Sequence, residues 1–143
     1  MRSEVAPAPS PPQLAALWLA GAFISLAGFG LVQYVDSLAP WIPGPESVVS
    51  GLFQTPLAHA VAHLALGAVA LLAAGSTRTC VVFLAAVGGA MLMLVGYGLL
   101  DDSPALPSLV PDPGADAWLH LVLAVGAIGA ACLTALPRRL VSS

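Results

Sequence analysis

TCVVFLAAVGGAMLMLVGYGLL, residues 79–100, carries no charged side chain along its whole length and runs directly into Asp101 and Asp102. A helix that crosses a bilayer needs about 20 predominantly apolar residues, and this run supplies them. On its N-terminal side, Gly75, Ser76, Thr77 and Arg78 make a tight turn. A second apolar run, residues 56–74, precedes that turn and is therefore predicted to lie antiparallel to the first. Upstream again, residues 37–55 hold Pro40, Pro43, Gly44 and Pro45 around Trp41. Proline fixes φ and lacks an amide donor, so this segment reads as a loop. Residues 14–35 are uncharged until Asp36, which predicts a further span and exceeds the roughly 7–15 apolar residues of a signal peptide. Downstream of Asp102, Pro104, Pro107 and Pro111 mark a second loop, and residues 113–136 form the last apolar run before Pro137, Arg138 and Arg139.

Composition agrees with that partition. The chain has 143 residues, 59% hydrophobic and 8% charged, where a soluble domain averages about 25% charged. There is too little polar surface to face water all round, so lipid is the expected solvent. The basic residues are Arg2, Arg78, Arg138 and Arg139, with no lysine. Scattered in this way they exclude a nucleic-acid footprint, which needs a clustered basic stripe. Cys80 and Cys132 fit no metal-ligand spacing and read as small apolar fillers. Residues 1–12, rich in Pro and Ala, read as a disordered arm, and residues 137–143 as a short tail. The predicted fold class is all-α membrane, a four-helix bundle over residues 13–136 with spans at about 14–35, 56–74, 79–100 and 113–136. All four arginines fall on one side of this arrangement, and Asp36, Glu46, Asp101, Asp102, Asp112 and Asp116 on the other. The positive-inside rule then places both termini in the cytoplasm and both Pro-rich loops outside.

The chain also resembles itself. Residues 52–74 align without gaps to residues 109–131, matching Pro56 with Pro113, Ala60 with Ala117, His63 with His120 and Leu66 with Leu123. Gly28-Phe29-Gly30 before Asp36 resembles Gly96-Tyr97-Gly98 before Asp101. This internal repeat predicts two parallel helix–loop–helix units related by an axis along the membrane normal. Thr55 before Pro56 and Asp112 before Pro113 read as helix N-caps with proline at the first helical position.

The polar positions with chemical potential all lie near the outer ends of the second and fourth spans. His59 and His63 are four residues apart and share a helix face, as do Asp116 and His120 at the matching positions. His63 and His120 each lie roughly 10 Å inside the proline that opens the helix, at 1.5 Å per residue. Ionisable residues at such depth usually face the bundle interior. Three readings follow. The first is an accessory or structural membrane protein without a cofactor, in which the histidines hydrogen-bond between helices. The second is a metal- or haem-binding redox membrane protein, with His59, His63, His120 and Asp116 as ligands to zinc or a similar ion, or two facing histidines as axial haem ligands. The third is a small transporter or proton-coupled subunit. Catalysis has no support, since there is no nucleophile–base set, phosphate loop or zincin spacing. The lipid bilayer is the expected partner, with a homo-oligomer or larger membrane complex open.

The runs His59-Ala60-Val61-Ala62-His63-Leu64-Ala65-Leu66-Gly67, Gly96-Tyr97-Gly98 and Asp116-Ala117-Trp118-Leu119-His120-Leu121 resemble a bacterial four-helix membrane family, the domain of unknown function 4383. The likeness covers roughly residues 14–136. It implies four spans in a plasma membrane and no assigned activity.

Overall fold

A computed structural model of the chain describes residues 8–38, 57–100, 111 and 114–135. Four helices account for nearly all of them: α1 (Pro11–Leu38), α2 (Leu57–Ala73), α3 (Thr77–Leu100) and α4 (Ala115–Ala135). No strand occurs among the described residues. Three helices are long and apolar enough to cross a membrane, over Pro11–Val35, Thr77–Leu100 and Ala115–Thr134, while α2 is a shorter apolar helix. Its 17 residues reach about 26 Å at 1.5 Å per residue, a little under a hydrocarbon core of about 30 Å.

The helix starts follow from local chemistry. Helix α1 begins at Pro11, inside the segment read as an arm. Ser10 explains why: its carbonyl accepts the amide of Leu14 at 3.0 Å, and its own amide donates to Oε1 of Gln13 at 2.8 Å. Gln13 thus supplies the returning half of a capping box, its Oε1 taking both the amide and the hydroxyl of Ser10, and proline is tolerated in the first turn because its missing amide would be an orphan there. Helix α3 is capped in a similar way by Ser76, whose Oγ accepts the Thr79 amide at 3.2 Å. The carbonyl of Gly114 accepts the Trp118 amide to open α4. Gly114 has φ of 126°, a conformation that glycine alone adopts at little cost. Thr55 and Asp112, read as N-caps, lie outside the described residues, as do both Pro-rich loops apart from Ser37, Leu38 and Pro111.

The helices pack as two pairs, α1 with α2 and α3 with α4. Gly67 of α2 lies against Ala20 and Ile24 of α1, so close that an added Cβ would sit 2.7 Å from Ile24 Cγ1 and 3.4 Å from the Ala20 carbonyl oxygen. Gly88 of α3 lies in the same relation to α4, where a Cβ would sit 2.7 Å from Ile128 Cγ1 and 3.0 Å from the Ala124 carbonyl oxygen. Small residues admit such approach, which is how helices associate when lipid is as apolar as the side chains. A polar clasp ties the start of α1 to the α2–α3 turn: Gln13 Nε2 donates to the Ala74 carbonyl just past α2 at 2.9 Å, and Ser10 Oγ is 3.0 Å from Oγ1 of Thr77, the first residue of α3. The start of α1 thus meets the end of α2, and the two helices run antiparallel.

Between the pairs, Leu19 and Phe23 of α1 meet Leu84, Val87 and Met91 of α3 and Ala124, Ala127 and Ala131 of α4. The outward faces are apolar as well. Trp18 is 80%, Leu72 81% and Leu100 90% exposed. Apolar surface that continuous and unpartnered does not persist in water, and it matches a hydrocarbon surround.

Candidate metal centre

Histidines 59 and 63 are one helical turn apart on α2, and His120 lies near the start of α4. Because α2 and α4 each present an early turn at the same end of the bundle, the three rings converge. All are buried, at 6%, 4% and 4% exposed. Nε2 of His120 lies 3.3 Å from Nε2 of His59 and 3.2 Å from Nε2 of His63. One nitrogen from each ring lies within 4.8 Å of the others.

The rings are held by their neighbours. His63 stacks between Phe23 of α1, with centroids 5.5 Å apart, and His120, with centroids 5.3 Å apart. His59 meets His120 edge-on at 5.2 Å. On its far side, Nδ1 of His120 lies 2.8 Å from the Asp116 carbonyl oxygen and 3.2 Å from Oδ1 of its carboxylate. Two oxygen acceptors fix the proton on Nδ1. In the neutral ring Nε2 is then a bare lone pair aimed at the other two histidines.

Hydrogen bonding alone fits this arrangement poorly. One lone pair accepts one N–H in line, and two Nε2 atoms approach it. Nδ1 of His63 is buried with no hydrogen-bond partner among the described residues, whether its Nε2 donates to His120 or binds an ion. An unsatisfied buried polar atom costs about 1–3 kcal/mol. A cation at the centre would use all three lone pairs at once. For an ion bound tetrahedrally by imidazole at about 2.0–2.1 Å, ligand nitrogens lie about 3.3 Å apart. The 3.2 and 3.3 Å that separate Nε2 of His120 from those of His63 and His59 match that edge length.

Of the four residues singled out in sequence, three therefore meet at Nε2. Asp116 stands behind His120 rather than among the converging nitrogens. Axial haem ligation does not fit: two nitrogens on opposite sides of one iron lie about twice a metal–nitrogen bond apart, about 4 Å at a bond of about 2.0 Å. Stacked rings also leave no room for a macrocycle between them. Phe23 was not among the expected residues. Nothing in a uniformly apolar span distinguishes the one aromatic ring that stacks on a histidine.

The model of the family described as a domain of unknown function (DUF4383) matches residues 13–133. The chain belongs to this family. No curated protein and no solved structure matches it. DUF4383 membership covers all four helices, so the histidine centre lies wholly within the family domain. The description of the domain assigns no activity, and the chemistry has to be read from the centre itself.

Proposed function

We propose that this DUF4383 protein is a metal-binding integral protein of a bacterial plasma membrane, holding one borderline transition-metal ion, of which Zn²⁺ is the type, through His59, His63 and His120. The observation that carries this reading is the approach of two buried Nε2 atoms, of His59 and His63, to that of His120 at the edge length of a tetrahedral site, with one nitrogen of each ring within 4.8 Å of the others. Neutral imidazole is a preferred donor for zinc, copper and nickel and a poor one for magnesium or calcium. The orientation follows the arginines, with both termini cytoplasmic and the centre toward the outer face.

The repeat supports a two-unit architecture. The alignment that pairs His63 with His120 also pairs Gly67 with Ala124, and the Gly28–Gly96 correspondence pairs Ala20 with Gly88. Gly67 against Ala20 and Gly88 against Ala124 are then the same contact in the two units, with the glycine exchanged between partners. The ion would join these units, since two ligands come from one and one from the other. A transport role has less support. On the described helices the only formal charges are Asp36, Arg78 and Asp116, none of them between the histidines and the α2–α3 turn.

The test is metal analysis of the full chain, purified in detergent, stripped with a chelator and reloaded with Zn²⁺. The expected result is one ion per chain, lost in His63→Ala and His120→Ala. Co²⁺ in its place should give the intense visible bands of tetrahedral coordination. A wild-type chain that retains no ion after reloading would overturn the reading and leave interhelical hydrogen bonding as the role of the histidines.

A further inference from the structure

The repeat places His59 and Asp116 at matching positions, each one turn before a histidine of the centre. Their side chains do different things. His59 sends Nε2 into the cluster, whereas Asp116 turns its carboxylate to Nδ1 of His120, on the side of the ring away from the cluster. We propose that Asp116 is the positioning residue of the centre, holding His120 with its proton on Nδ1 and its Nε2 lone pair aimed inward. One unit would thus contribute two ligands, and the other would contribute one ligand and the carboxylate that orients it.

His120 is where such a device matters most, because both other nitrogens face its Nε2. The opposite tautomer would put a proton where the ion must bind. The Asp116 carbonyl oxygen is closer, at 2.8 Å, but in a helix that oxygen already accepts the amide four residues on. The carboxylate at 3.2 Å adds a second oxygen acceptor, and its negative charge makes the imidazole a stronger donor to a cation. His63 has no such support among the described residues, where its Nδ1 lacks a partner. Outer partners of this kind typically change metal affinity by about 10–100-fold.

This inference rests on the metal reading above, and the experiment separates the two. Zn²⁺ affinity of the full chain would be measured by competition with a chromophoric chelator for wild type, Asp116→Asn and Asp116→Ala. The ¹⁵N shifts of His120 would be recorded in each metal-free protein. Asn keeps an oxygen acceptor at the same place and is expected to weaken binding about tenfold, and Ala further, toward about 100-fold. Stoichiometry at saturation should be unchanged in both. Wild type should show the Nδ1–H tautomer, and Asp116→Ala a mixture. If Asp116→Ala binds as tightly as wild type, this inference fails while the metal site stands. If the variants only melt at lower temperature, with affinity and tautomer unchanged, the role is structural and the inference fails again. A wild-type protein that binds no Zn²⁺ overturns the metal reading itself.

Discussion

His120 is the hub of the centre, and the three histidines are not equivalent for that reason. Removing His59 or His63 leaves a contact of 3.2 or 3.3 Å between α2 and α4. Removing His120 leaves two nitrogens on one helix with nothing opposite. His120→Ala is therefore expected to cost the most affinity, beyond the roughly 100-fold ceiling of outer-shell changes, and His59→Ala less. Parallel Zn²⁺ titrations of the three alanine variants check the order, and equal losses would remove His120 from its central place.

At the scale of the element, the helix pairs depend on two glycines rather than on glycine in general. A Cβ at Gly88 would press on Ile128 Cγ1 at 2.7 Å, on the Ala124 carbonyl oxygen at 3.0 Å and on Ala127 Cβ at 3.3 Å. Neither a backbone oxygen nor the inner carbon of an isoleucine can swing aside, so α3 and α4 must separate. Gly88→Ala should destabilise by about 1–3 kcal/mol, the usual cost of overpacking. Gly67→Ala should cost less, since the nearest backbone atom is 3.4 Å away. Gly126 has nothing within 4 Å, and Gly126→Ala should be nearly neutral, within about 0.5 kcal/mol. Thermal melts in one detergent rank the three. The polar clasp gives a second test, since Gln13 both caps α1 and donates to Ala74. Gln13→Ala should lower stability by about 1 kcal/mol, as loss of a cap does, and a melting curve identical to wild type would assign the clasp no weight.

For the whole molecule, orientation and metal binding make separate predictions. A reporter fused after Ser143 should be active only as a cytoplasmic fusion if the arginines set the topology; activity of a periplasmic reporter there would invert the arrangement. Because the proposed ligands come from α2 and α4, a bound ion would join the two helix pairs and stabilise the bundle. Free Zn²⁺ at a hundred times its Kd should add about 2.7 kcal/mol, read as a rise in melting temperature that His120→Ala abolishes.

The all-helical, membrane-spanning character was legible in the linear sequence, because the free energy of crossing a bilayer depends on the length of uncharged runs such as residues 79–100 and hardly on what packs beside them. The four residues of the candidate centre were legible too, since intramembrane His and Asp stand out against apolar neighbours. Their roles were not. Sequence spacing placed His59 with His63, and Asp116 with His120, on shared helix faces. It could not say that Asp116 turns outward to Nδ1 while His59 turns inward, because both rotations are compatible with the same one-turn spacing. Nor could it select Phe23, Gly67 and Gly88 from among many similar residues. Those choices depend on the distance and rotation between packed helices, which are set by contacts across the bundle. Tertiary structure alone decided them, bringing imidazole nitrogens of His59 and His63 on one helix pair to a little over 3 Å from that of His120 on the other.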